Sequence, residues 1–364
     1  MKKYRVGWGI TNSCNMNCRF CYSKETRSST NDISIENWKK FIDENYEYID
    51  SINYGTGENS LSDDFFDFIL YVREKYPLIT QSITTNGYLY ERVSKDEKLY
   101  NIYKKSIDEV DVSLDFADSE KHNFFRGQKK AYDWALNTLS MLKNDNKKST
   151  IVFVGFEDTM KKDNIDGLFQ IAKQYNSLLR LNIYRPVSES KEINENFMLS
   201  YKTLINMLEY INQKYEIVSL NDVLLGNIYC RNQLIKENTG IDSIRILADG
   251  SICPSTYLIK EDYRSKYNIN QPHVLSKLEF KKFMNAPIPK ECNNCILKDK
   301  CRGGVYDRRI LWYNTLQERD PYCPYRNNDT VDKKKINIIK KDRISVHDGY
   351  LPTLFFKNRG DNSC

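Results

Sequence analysis

Arg5-Val6-Gly7-Trp8-Gly9-Ile10 runs directly into Thr11-Asn12-Ser13-Cys14-Asn15-Met16-Asn17-Cys18-Arg19-Phe20-Cys21-Tyr22. The first six residues read as a short buried strand. The next twelve place three cysteines, spaced Cys14-x3-Cys18-x2-Cys21, just beyond its C-terminal end. Three thiolates from so short a loop can ligate three irons of a four-iron cubane and leave the fourth iron without a protein ligand. An open coordination position marks a reactive metal site, a zinc knuckle being the plain alternative.

Outward from this loop, strand and helix signals alternate. Ser34 predicts an N-cap for a helix running to about Tyr48. Asp63-Asp64 opens a second helix, with Phe65, Phe68, Ile69 and Val72 at helical spacing. Strands are predicted at 51–55, 79–84, 109–114, 150–154 and 180–184. Six βα units imply parallel pairing with right-handed crossovers. They are too few to close an eight-stranded barrel. The expected fold is therefore α/β, an open partial (β/α)6 TIM-like barrel over residues 1–190. In such folds chemistry gathers at the C-terminal strand ends, so residues 11–21, 55–58, 85–87, 113–115 and 184–187 would share one rim. A helix near 197–215 makes residues 191–229 a helical bridge. Residues 244–253 read as a hairpin around the Asp249-Gly250 turn. They fall in a small, loop-rich, cysteine-bearing domain over 230–330, which would rely on metal for stability. Residues 331–364 read as a basic C-terminal tail.

Composition narrows the class. The 364 residues are 40% hydrophobic, a figure that includes 26 tyrosines. No run approaches the ~18 apolar residues of a membrane span, and Met1-Lys2-Lys3-Tyr4-Arg5 is no signal peptide. A soluble, cytoplasmic protein is expected. Of the net charge of +6, residues 332–343 alone hold six cations and two anions. The rest is close to neutral, so no nucleic-acid surface is expected. Ten cysteines in a cytoplasmic chain point to metal rather than disulfides.

The loop Thr11 to Tyr22 strongly resembles the cluster loop of radical S-adenosylmethionine (SAM) enzymes. That resemblance implies a 4Fe-4S cluster held by Cys14, Cys18 and Cys21, with SAM chelating the open iron and cleaved to a 5′-deoxyadenosyl radical. It implies Phe20 against the adenine. Tyr54-Gly55-Thr56-Gly57-Glu58-Asn59 resembles the Gly-Gly-Glu element, in which Gly57 allows close approach and Glu58 receives the SAM amino group; Thr56 departs from the usual glycine. Asn86, in Thr84-Thr85-Asn86-Gly87, resembles the third-strand segment lining the site. Ser113 and Asp115 resemble the fourth-strand polar pair near the ribose. Arg126 resembles the arginine that meets the SAM carboxylate.

Cys292-x2-Cys295-x5-Cys301, with Cys323 downstream, can saturate a four-iron cluster or a zinc. It resembles the SPASM extension, which implies at least one auxiliary 4Fe-4S cluster. Two departures stand out: Val305 and Ser255 occupy positions where that pattern has cysteines. Cys230 and Cys253 are candidate ligands of an irregular inner cluster, or partners of Cys292 and Cys295 in the shorter twitch arrangement. Cys364 reads as a terminal thiol. The family implies C–H abstraction from a ribosomally made precursor peptide, leading to crosslink, epimerisation, thioether or excision. It also implies an electron donor such as flavodoxin or ferredoxin. The first strand begins at about Tyr4, so a leader-binding segment is not expected before it, and a separate leader-binding protein or the C-terminal region would supply that role. Rival readings are a sugar or aminocyclitol dehydrogenase or epimerase, a sulfatase maturase, and a degenerate homologue that only binds peptide. No residue stands out as the catalytic acid, base or thiol donor.

Overall fold

The computed structural model describes residues 2–24, 32–230, 234–330, 336, 338 and 343–360. The six expected strands are β1 (Tyr4–Trp8), β2 (Ile49–Tyr54), β3 (Thr80–Thr85), β4 (Glu109–Ser113), β5 (Lys148–Gly155) and β6 (Leu178–Ile183). They pair in parallel and in chain order, as the strand–helix alternation requires. The outer helices form where apolar residues recur at helical spacing. Ser34 caps the helix Ile35–Asn45 by accepting from the Asn37 amide, and that helix buries Trp38, Phe41 and Ile42. Trp8, wholly buried on β1, meets Phe41 and Phe68 edge-on at 5.3 and 5.2 Å between ring centroids.

Four more strands extend the sheet: β7 (Glu216–Asn221), β8 (Ser243–Ile246), β9 (Ile252–Cys253) and β10 (Thr353–Lys357). The complete order is β7-β10-β6-β5-β4-β3-β2-β1-β8-β9. The expected hairpin is β8–β9, but β8 pairs in parallel with β1, so it continues the barrel sheet instead of standing in a separate small domain. The bridge likewise contains β7, after the helix Tyr201–Lys214.

The reading of 331–364 as a basic tail needs correction. Most of its lysine-rich run lies outside the described residues, as does Cys364. The segment that follows is integral: β10 inserts antiparallel between β6 and β7. Its apolar Leu354-Phe355-Phe356 core is wholly buried, which outweighs the pull of the charges before it. Residues 343–351 cross the N-terminal mouth of the barrel. Arg343 donates to Ser51 Oγ at 2.8 Å, Val346 N to Glu109 Oε1 at 2.8 Å, and Arg5 to the Gly349 carbonyl at 2.6 Å. From this strap His347 and Tyr350 project into the barrel. Gly7 on β1 is side-chain-free for that reason, since a Cβ there would overlap Tyr350 Oη and lie 2.6 Å from its Cζ.

Candidate active site

One cavity, about 1140 Å³ including its open mouth, runs from the cysteine loop down into the barrel. Cys14, Cys18 and Cys21 all lie on its wall, together with Phe20, Gly57, Asn86, Ser113 and Arg126. The loop is pinned from several sides. Ser13 N donates to Thr11 Oγ1 at 3.1 Å, Glu58 N to the Ser13 carbonyl at 2.8 Å, and Asn86 Nδ2 to Asn15 Oδ1 at 2.8 Å. Asn86 Nδ2 also reaches Cys14 Sγ at 3.8 Å, while the Cys18 thiol donates to the Arg126 carbonyl at 3.6 Å. Met16, Cys18, Ala131 and Trp134 form a small apolar cluster behind the loop. Burial pushes the Cys18 thiol up to about 11, opposed by Arg126 and reinforced by Cys21 and Cys14. A buried group of mutually repelling thiols beside one guanidinium suits a bound metal cluster, whose charge would reverse that penalty.

Gly57 is what lets the next loop approach. At φ +62° its missing Cβ would overlap the Ser13 carbonyl oxygen and sit 2.9 Å from that of Thr11. Thr56, at φ +86°, occupies the left-handed region despite its branched side chain, a strain of about 1–3 kcal/mol. Its hydroxyl lies 3.4 Å from that of Tyr22 on the cavity wall.

Two expected cavity residues are placed otherwise. Glu58 is wholly buried and does not line the cavity. It accepts from Ser60 Oγ at 2.6 Å, Thr85 Oγ1 at 3.0 Å and Asn86 N at 2.7 Å, so it orients the Asn86 loop. Asp115 is equally buried: Oδ2 takes Arg126 Nε at 2.6 Å and Oδ1 takes Val154 N at 2.9 Å. Burial raises the pKa of both carboxyls, and the donors around them, Ser60, Asn86 and Thr85 for Glu58 and Arg126 and Val154 for Asp115, offset that only in part. Burial works against the Arg126 cation, but Asp115 and Cys18 outweigh it and hold its pKa above the usual value. Phe20 faces the cavity yet stacks on Phe125 at 4.2 Å, with Arg126 5.0 Å from its ring centre.

The second thiol group assembles in a segment packed against the barrel. Burial raises Cys301 to about 12, with Cys295, Cys292 and Cys323 as its charged neighbours, and raises Cys292 with Cys323 and Cys295 beside it. Cys292, Cys295, Cys301 and Cys323 are thus within electrostatic reach of one another, though among the described residues no three of them close on a single metal-ion position. Burial alone acts on Cys230, and the charges near Cys253 are Arg264, Asp249 and Arg245. Both thiols are buried. Val305, at the departed cysteine position, is wholly buried and precedes the helix Tyr306–Tyr313. Arg308 of that helix ties the segment down, donating to Asp222 and, at 2.9 Å, to Asp320 Oδ2.

Sequence reasoning missed the polar interior below the thiols. Arg180, Arg185, Arg245 and His347 all line the cavity. His347 Nδ1 lies 2.6 Å from Asp111 Oδ2. Burial and Arg180 push the imidazole down to about 4 despite that carboxylate, which leaves the ring neutral at physiological pH. A signal for two of the arginines was present. Leu178-Leu179-Arg180-Leu181 and Ile244-Arg245-Ile246 each set one guanidinium in an otherwise apolar strand, where an unpaired charge is not expected without a role.

Comparison with known proteins agrees with this layout. Residues 8–174 match the model of the radical SAM superfamily. The chain is 29% identical over 363 residues to an Fe-coproporphyrin III synthase of Methanosarcina barkeri, covering 88% of each. It is 24% identical to the antilisterial bacteriocin subtilosin biosynthesis protein AlbA of Bacillus subtilis, covering 89% of this chain and 71% of that one. Among solved structures, Streptococcus suis SuiB bound to S-adenosylmethionine superposes with a TM-score of 0.70 at 18% identity, over 88% of this chain and 77% of that one.

Proposed function

Taking as premise that this chain is a radical SAM superfamily enzyme, its domain matched over residues 8–174, we propose that it modifies a ribosomally made peptide by hydrogen abstraction from an unactivated C–H bond. The observation that carries the reading is the combination, on one barrel, of a three-thiol cavity wall with a four-thiol extension. Two relatives support the substrate class: AlbA by its name, and SuiB by a structure bound to its precursor peptide SuiA.

When bound, the family's 4Fe-4S cluster and SAM supply the electron and the 5′-deoxyadenosyl radical. In our reading Cys14, Cys18 and Cys21 hold three irons, with Asn86 Nδ2 steering the Cys14 sulfur. Arg126, oriented by Asp115, offers its free guanidinium edge to the SAM carboxylate. Gly57 and Ser113 line the space for the rest of SAM. Glu58 acts from behind by fixing the Asn86 backbone. Cys292, Cys295, Cys301 and Cys323 hold an auxiliary 4Fe-4S cluster. A flavodoxin or ferredoxin supplies the electron, a separate protein presents the peptide leader, and the enzyme works in the cytoplasm. Among the described residues no helix is long and apolar enough to cross a membrane.

Anaerobic reconstitution tests the metal assignment. About eight irons per chain are expected for two four-iron clusters, and about four after Cys14, Cys18 and Cys21 are all changed to Ala. Stoichiometric zinc without iron would sink it. Substrate class is tested by 5′-deoxyadenosine release with a short peptide encoded beside the gene. A second reading, a tetrapyrrole acid as substrate, is favoured by the Fe-coproporphyrin III synthase likeness. Release stimulated by a tetrapyrrole carboxylic acid and not by peptide would establish it instead.

A further inference from the structure

The cavity wall carries four arginines and, among the described residues, no aspartate or glutamate. Arg126 belongs to the SAM side of the site. The other three lie deeper, and Arg180, Arg185 and Arg245 are 1%, 2% and 2% exposed. Arg185 is anchored by Nε to Asp307 Oδ1 at 2.8 Å and by Nη1 to the Ile183 carbonyl at 2.6 Å. Arg180 has Asp111 Oδ2 at 3.2 Å from its Nη2. Arg245 donates to the Gly55 carbonyl and, among the described residues, has no carboxylate within ion-pair distance.

After these contacts, buried N–H groups remain without a partner: Nε and Nη1 of Arg180, Nη2 of Arg185 and Nε of Arg245. The three side chains face one space. Tyr257 shares the cavity wall with Arg185 and Arg180, and the Arg185 guanidinium lies 5.3 Å from its ring centre. Tyr350 feels Arg245, and Arg180 in turn feels Tyr350. Tyr22, next to the ligand Cys21, packs edge-on against Tyr257 at 5.7 Å, so this floor lies directly beneath the cysteine loop.

Burying a guanidinium costs several kcal/mol unless it is paired and its donors are used. Asp307 and Asp111 balance two of the three charges, and the remaining cation calls for an anion from outside the chain. We infer that the barrel floor formed by Arg180, Arg185 and Arg245 binds a carboxylate of the substrate and so fixes which C–H bond lies beneath the cysteine loop. A carboxylate fits this floor better than a phosphate. Phosphate sites draw on helix N-termini or nests of backbone amides, whereas Arg180 and Arg245 sit inside strands whose amides serve the sheet ladder. Planar forks of free N–H groups pair bidentately with carboxylate and phosphate alike, so the preference for carboxylate rests on the absence of free backbone amides at these strand positions. The inference deepens the peptide reading and rests on it for the bearer of the carboxylate, an acidic side chain near the modified residue.

The test uses the anaerobically reconstituted holoenzyme with SAM present and measures binding by calorimetry. The probes are N-acetyl-glutamate methylamide, its glutamine counterpart, methyl phosphate and coproporphyrin III. Binding of the glutamate probe but not the glutamine one is expected. Arg245→Gln should weaken it by about tenfold or more, as for loss of a charged hydrogen-bond partner, and Arg245→Lys should weaken it less. Both variants should keep wild-type iron content and melt no lower than wild type, because Arg245 has no internal carboxylate to strand and Arg245→Gln removes an unpaired buried charge. If coproporphyrin III binds in an Arg245-dependent way and the glutamate probe does not, the carboxylate site stands and the peptide reading falls. Preference for methyl phosphate, binding of neither carboxylate, or binding indifferent to Arg245 in folded protein would overturn the inference.

Discussion

Gly57→Ala changes one hydrogen into a methyl group at the point where two rim loops meet. Two costs arise together. An L-residue at φ +62° pays about 1–2 kcal/mol in the left-handed region. The new methyl also overlaps the Ser13 carbonyl oxygen and lies 2.9 Å from that of Thr11. Both are backbone atoms, and Ser13 O is already held by Glu58 N at 2.8 Å. Overpacking of this kind costs a further ~1–3 kcal/mol. The total, on the order of 2–5 kcal/mol, is relieved only if the 11–13 backbone moves, and Cys14 moves with it. Gly57→Ala reconstituted anaerobically should therefore hold about four irons per chain instead of about eight, keeping those of the second thiol group. Gly360→Ala isolates the backbone cost, since its φ is +81° and nothing lies within 4 Å of the added Cβ; its iron content should not change. If Gly57→Ala keeps full iron and unfolds like Gly360→Ala, the close approach does not hold the cysteine loop and the reasoning fails.

Two further outcomes are expected. Arg308→Met leaves Asp222 and Asp320 facing each other without their shared, fully buried cation, and should lower stability by about 3–5 kcal/mol in urea unfolding; a loss below ~1 kcal/mol would show that the ion cluster does not tie the second thiol segment to the barrel. His347 is pushed down to about 4 by burial and Arg180, with Arg343 adding and Asp111 opposing. The unfolded chain therefore takes up this proton first as pH falls, and stability is lost between about pH 6.5 and 4, by up to ~3 kcal/mol. His347→Asn, which keeps an N–H for Asp111, should flatten that slope, and an unchanged slope would exclude His347 as its source.

The features legible in the sequence were those written locally. The Cys14, Cys18 and Cys21 spacing, the Ser34 cap and the alternation of β1 to β6 each depend on residues a few positions apart. β7 was hidden because Glu216-Ile217-Val218-Ser219-Leu220-Asn221 follows a helix without a clear break. β10 was hidden by the lysines before it, although Thr353-Leu354-Phe355-Phe356 has the aromatic, branched character of a strand. Its antiparallel insertion between β6 and β7 is a tertiary fact with no local mark. Glu58 and Asp115 are legible by type, but their burial behind the cavity wall is not. Residue order cannot tell a carboxylate facing a cavity from one that braces the residue that does.

The strap under the barrel also bears on how the molecule comes into being. Residues emerge from the ribosome N-terminal first, so both thiol groups are available before His347, Tyr350 and β10 exist. Arg5 meets the Gly349 carbonyl across 344 positions of sequence, a pairing that must await most of the chain and closes slowly for that reason. During that interval β6 and β7 lack the strand that joins them, and the shaft beneath the cysteines is open at its lower end. The lower wall of the cavity, to which His347, Tyr350 and Leu351 contribute, is thus the last part of it to be made.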